Sequence, residues 1–180
     1  MAARAGEPWV LLPEPAYMAH KGAVAIPAAK STVLAPAQMG EFGPEFPTAE
    51  QWTAAGLAED ALLVSARAAA SQWLKQLKPE LTRGANKVVE YAKLTSDKIP
   101  VCAVVLAPEF THQFEDIFGP KPLVVIPNRS TIYVFPALAG KHEKYSAMIL
   151  AAWHSPEARV SLEVFEVSEK GLRAVGVYEE

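Results

Sequence analysis

Proline placement constrains this chain more than any other feature. Seven of its 15 prolines fall before residue 50, and six more fall between 100 and 136. Proline fixes φ and has no backbone N–H to donate, so those stretches suit short elements broken by turns. Residues 48–78 contain no proline. Thr48 can cap a helix there, with Gln51 three residues on as its capping-box partner. A short helix is predicted over 49–55, stopped by Gly56. A longer one follows over 59–78, with Leu62, Ala66, Ala69, Trp73 and Leu77 as its apolar stripe. Glu59 and Asp60 open that helix, Lys75 and Lys78 close it, and Pro79 bars continuation.

The remaining segments read as short strands and helices. Val10 to Leu12 is a brief apolar run before Pro13 and Pro15. Residues 23–26 and 32–35 read as strands, 40–47 as a loop, and 80–98 leans towards strand. VCAVVL at 101–106 reads as a buried strand, and 108–118 as a helix stopped by Gly119. PLVVIP and STIYVFP flank Asn128-Arg129, which predicts a hairpin. Residues 140–154 read as a helix with Tyr145, Met148 and Ala152 on one face. A last hairpin joins 160–167 to 172–178 through SEKG. The expected class is α+β, with a mixed sheet of short hairpins packed with helices. One domain spans 1–180.

Residues 23–40 and 123–140 align without a gap at an offset of 100, with six identities in 18. AVAIPAAKSTVLAPAQMG stands against LVVIPNRSTIYVFPALAG. A repeated supersecondary unit suggests two similar halves, about 9–80 and 100–180, related by an internal pseudo-twofold. Chance is the alternative, because the stretch is short and rich in common residues.

The run VLAPEFTHQFEDIFGPKPLVVIPNRSTIYVF resembles the C-terminal part of the YtpQ-like bacterial family, a family of unknown function. WTAAGLAEDALLVSARAAASQWL is similar to that family's mid-chain helix. The resemblance covers about 48–80 and 100–140. Ser130 stands where the family usually carries an acidic residue, and Gln72, Trp73 and Leu74 stand near its Asn-Leu pair. The resemblance implies a mixed α/β architecture and no established activity, so it transfers no catalytic residue.

Composition narrows the function classes. A net charge of −3 argues against a nucleic-acid binder, which usually shows a basic face. No uncharged apolar stretch approaches the roughly 20 residues that span a bilayer. Arg4 is followed by no apolar h-region before Pro13, which does not read as a signal peptide, and the cytoplasm is the expected compartment. The single cysteine, Cys102, excludes an internal disulfide framework and reads as a buried small hydrophobe. G-x-S-x-G, P-loop and G-x-G-x-x-G motifs are missing, and nothing calls for a cofactor.

Two constellations remain. Asn128, Arg129 and Ser130 lie in a hairpin turn where the first copy has Ala28 and Ala29, so the turn itself needs neither Asn nor Arg. A guanidinium there is a candidate anion site, and these three residues are the expected ligand-binding set. The plainer reading is turn chemistry with Arg129 in solvent. Glu109, His112 and Asp116 share a helical face at spacings of three and four, which suits a divalent metal or a solvated face. The leading expectation is therefore a non-enzymatic binding or protein-interaction module for a small ligand or a protein partner. The alternative is a metal-assisted or hydrolase-like enzyme using His112 with Glu109 or Asp116. A homodimer through the Ala-rich helix is a third reading.

Overall fold

The structure, a computed structural model, describes residues 8–137 and 142–180. It is α+β, with two antiparallel sheets and four α-helices among those residues. The smaller sheet holds β1 (Trp9–Pro15), β2 (Val24–Ala25), β3 (Thr32–Gly40) and β4 (Gly43–Glu45), in the order β1-β3-β2, with β4 on the far end of β3. After it come α1 (Ala49–Ala55) and α2 (Glu59–Leu74). The larger sheet holds β5 (Glu80–Arg83), β6 (Val89–Thr95), β7 (Leu123–Asn128), β8 (Thr131–Phe135), β9 (Glu163–Ser168) and β10 (Gly171–Val177), in the order β10-β9-β7-β8-β6-β5. Helix α3 (Phe110–Phe118) precedes β7, and α4 (Ser146–Trp153) follows β8.

Local chemistry explains most boundaries. The Thr48 hydroxyl accepts from Gln51 N at 3.2 Å while Gln51 Oε1 accepts from Thr48 N at 2.8 Å, the reciprocal box that starts α1. Gly56 ends α1 with φ 56°, a left-handed turn that glycine takes without a Cβ penalty. Helix α2 stops at Leu74, four residues before the expected end. Its last turn tightens through Gln76 N to Trp73 O and Leu77 N to Leu74 O, since a residue before proline is pushed out of the helical region. Its buried stripe is Leu62, Ala66, Ala70 and Leu74. The two alanines keep that face shallow where α2 packs on β1 and on residues 101–106.

Four expectations change in detail. Residues 40–47, read as a loop, hold the end of β3 and the short strand β4 that pairs back onto it. Residues 101–106 form a 3-10 helix, buried from Val101 to Val105, rather than a strand. The run plugs the centre of the molecule, where every side faces apolar neighbours, so it carries no periodicity from which a strand could be told from a helix. Strand β1 runs on through Pro13 and Pro15, although only 10–12 read as apolar. It is the outer strand of its sheet, where proline's missing donor leaves no gap in a central ladder. The predicted helix over 140–154 is a 3-10 turn at His142–Tyr145 followed by α4, and 140–141 lie outside the described residues.

One core cluster draws on both sheets, α2, α3 and the 3-10 helix. A second lies on the opposite face of the large sheet, where Leu123, Val125, Tyr133 and Phe135 meet Tyr145 and Ile149. Both faces of β7 and β8 are thus covered, which is why their sequences are unbroken apolar runs.

The aligned segments hold a hairpin each, within 24–40 and within 123–135, and 138–140 lie outside the described residues. Val24 faces Leu34 and Ala25 faces Val33, as Val124 faces Val134 and Val125 faces Tyr133. The likeness stops at those pairs. The first tip turns through Ala28 at φ 62°, and the second shifts register between Val125 and Asn128. The first hairpin has β1 against its second strand, whereas the second hairpin is flanked by β9 and β6. A repeat relating two halves is not shown.

Candidate functional site

The hairpin tip at Asn128–Ser130 comes together as a side-chain cluster, and each member bonds within the chain. Arg129 Nε and Nη2 donate to Glu14 Oε1 and Oε2 at 2.5 and 2.9 Å, a two-pronged ion pair. Glu14 is 1% exposed. The Glu14 hydrogen bond, the largest influence, raises the Arg129 pKa against the effect of burial. Asn128 Nδ2 donates to Ala152 O at 2.8 Å and so ties the tip to α4. Its Oδ1 accepts from Ser130 N at 3.1 Å, and Ser130 Oγ donates to Glu157 at 3.0 Å. Phe46 underlies the guanidinium, 5.3 Å from its centroid, and also stacks on His20 at 3.9 Å. The backbone N–H of buried Cys102 donates to Arg129 O, and burial pushes its thiol far above the ordinary range. None of this surround was legible beforehand: Glu14 and His20 carry no local signal for it.

The residues of the alternative enzyme reading part company. Glu109 accepts a 2.6 Å bond from Ser71 Oγ, which lowers its pKa. His112 Nδ1 lies 3.3 Å from Glu115 Oε2 on an exposed face. Among the described residues, no group of three His, Cys, Asp or Glu side chains is arranged to hold a metal ion.

A concave site lies elsewhere. A groove of about 370 Å³ opens between α2, the outer strand β2, the start of α3 and the β9–β10 turn. Its floor is apolar: Leu11, Ile26, Leu34, Val105 and Leu172 are all buried residues that also line it. Helix α2 gives it Glu59, Leu63 and Arg67, which at spacings of four share one stripe beside the core stripe. Arg67 is half-buried and makes no ion pair or hydrogen bond among the described residues. An adjoining cavity of about 660 Å³ shares Pro27, Thr111, His112 and the β9–β10 turn, so the trough continues past α3. The volumes fall in the range of small-ligand sites. His112 therefore lines a concavity, although not with the carboxylates that its helix spacing suggested. The one sequence signal for this groove is the Glu59–Leu63–Arg67 spacing inside an alanine-rich helix.

Comparison of the chain with protein-family models, with curated proteins and with solved structures finds no match in any of the three. Among the described residues, no helix is long and apolar enough to cross a membrane.

Proposed function

We propose that the protein is a non-enzymatic binding module whose ligand lies in the α2–β2 groove, and that the ligand joins an apolar body to a carboxylate. One observation carries this reading. Arg67 stands half-buried at the rim of an apolar concavity, with no ion pair or hydrogen bond among the described residues. Contrast Arg129, whose charge is already met by Glu14. A half-buried guanidinium has lost part of its hydration, so an incoming carboxylate recovers more there than at a fully wet site. Leu11, Leu34 and Leu172 supply the apolar contact, at roughly 25 cal/mol for each Å² removed from water. The groove supports the reading better than the Asn128–Ser130 turn, because the turn's groups already have partners within the chain.

Calorimetric titration with decanoate and with N-acetyl-leucine tests it. Binding is expected for both, weakened about tenfold in Arg67→Gln, the size of one charge-assisted hydrogen bond. Ala25→Trp, at an exposed groove-lining position, should block entry without disturbing the core. Absence of heat with both probes, or unchanged affinity in Arg67→Gln, would overturn the reading.

A further inference from the structure

The start of α3 brings unmet donors to the groove. Thr111 lines both cavities and is only 6% exposed. Its hydroxyl makes no hydrogen bond among the described residues and is not fully enclosed, so it opens on the trough. A buried hydroxyl without a partner carries a cost that an incoming oxygen would relieve. The first turn of a helix leaves backbone donors unmet as well. In α3 the first helical bond runs from Gln113 N to Glu109 O, and no side chain caps the helix. The N–H groups of Thr111 and His112 therefore have no acceptor among the described residues. Glu109, at the capping position, is drawn aside, where it accepts from Ser71 Oγ at 2.6 Å.

That Ser71 bond sets the spacing. Ser71 follows Arg67 by one helical turn on the same face, about 6 Å along α2. Arg67 thus stands one turn of α2 from the contact with the residue before α3. A ligand whose carboxylate is at Arg67 reaches the α3 donors a few bonds further on. The group it presents there must be an acceptor, since a backbone N–H can only donate. An uncharged oxygen suits better than a second anion, because Glu169 lines both cavities and Glu109 stays charged beside the start of α3. We propose that the ligand is an N-acyl amino acid, a fatty acyl chain in amide linkage to an amino acid. Its carboxylate meets Arg67. Its amide carbonyl oxygen accepts from the Thr111 hydroxyl and from one of the two N–H groups, and its acyl chain lies on the apolar floor. A plain fatty acid would leave those donors unmet.

This inference rests on the groove reading above, and the test separates the two. The probes are N-octanoylglycine and undecanoate, titrated into the full chain. Their main chains are equally long and end in the same carboxylate, so they differ only at the amide. Burying an amide that nothing bonds costs more than burying methylenes, so an apolar groove without the α3 donors would prefer undecanoate. N-octanoylglycine is expected to bind about tenfold more tightly instead. The preference should vanish in Thr111→Val, where undecanoate binding reports that the groove has kept its form. The octanoyl ester of glycolate keeps the carbonyl and lacks the amide N–H, and should retain most of the preference. Equal binding of the two probes or a preference for undecanoate overturns the N-acyl amino acid, while leaving the groove reading in place. So does a preference that survives Thr111→Val or is lost in the ester. Binding of neither probe removes both.

Discussion

The two sheets hold each other by the tips of their hairpins, with one carboxylate on each side and different chemistry at each. Glu163 of β9 receives the β2–β3 tip: Lys30 N donates at 2.7 Å, Thr32 Oγ1 at 2.6 Å and Ser31 N at 3.4 Å. Glu14 of β1 receives the β7–β8 tip through the Arg129 guanidinium. The first clasp is built from neutral donors, mostly backbone, and so places little demand on which residues stand at 30 and 31. The second depends on one side chain that nothing in the local turn requires. A carboxylate held by main-chain amides tolerates substitution at the tip. One held by a single cation does not, because removing the cation strands a charge in the interior.

That asymmetry sets the largest expected effect. Arg129→Ala should cost about 3–5 kcal/mol in urea unfolding, the usual penalty for orphaning one member of a buried pair. Joint replacement, Glu14→Leu with Arg129→Met, should recover most of that loss, since an apolar pair of similar volume often does as well. Cys102 offers an independent readout. It is fully buried and its amide bonds Arg129 O, so thiol labelling in native buffer should be slow in the wild type and faster in Arg129→Ala. A loss under about 1 kcal/mol, typical of exposed pairs, would mean that the guanidinium clasp holds nothing.

The neutral clasp should show a smaller and pH-dependent effect. Burial disfavours the charged Glu163 carboxylate, but the bonds from Lys30 N, the Thr32 hydroxyl and Ser31 outweigh it and hold its pKa below the usual value. A lowered carboxylate pKa contributes stability that is complete above the unfolded-state value and is lost as pH falls through the folded one. Glu163→Gln should therefore cost about 2 kcal/mol at pH 7. The gap between variant and wild type should close as pH drops below 4.5, the ordinary value for this group. A gap that stays constant down to acid would show that the carboxylate's charge is not what the tip requires.

These clasps also mark where sequence reading stops. The capping box at Thr48, the turn at Asn128-Arg129 and the stop at Gly119 were legible because each is chemistry among residues within a few positions of one another. Arg129 stood out as a cation that its turn does not need, but its partner lies 115 residues away in the run LLPEP. Only Val10 to Leu12 reads as an apolar run there, whereas the strand continues through both flanking prolines with Glu14 turned inward. Glu163 sits in LEVFEV, where nothing tells an inward carboxylate from an outward one until Ser31 and Thr32 arrive from the other sheet. The groove is harder still. Its walls come from 24–27, 59–67, 105–112 and 167–172, so no single window contains it.

The smallest effect sharpens the comparison most, because only the Glu14 clasp has a second group able to carry positive charge. The His20 side chain is 10% exposed, and its Nε2 lies 3.8 Å from Glu14 Oε2, beyond hydrogen-bond reach. Burial lowers its pKa, Glu14 works against that, and Arg129 adds to the lowering, for a net downward shift. The folded state therefore favours neutral imidazole. Below pH 6.5 the unfolded chain takes up the proton first, so stability falls as pH moves from 6.5 down through the folded value. His20→Phe keeps a ring to stack on Phe46 and cannot titrate. Between pH 7 and pH 5 the wild type should lose slightly more stability than this variant. The opposite sign, with the wild type gaining on acidification, would mean that a protonated His20 closes on Glu14 and shares it with Arg129. The clasp would then be a three-member network rather than a pair, and the cost of Arg129→Ala should shrink at pH 5, as His20 partly takes over its role.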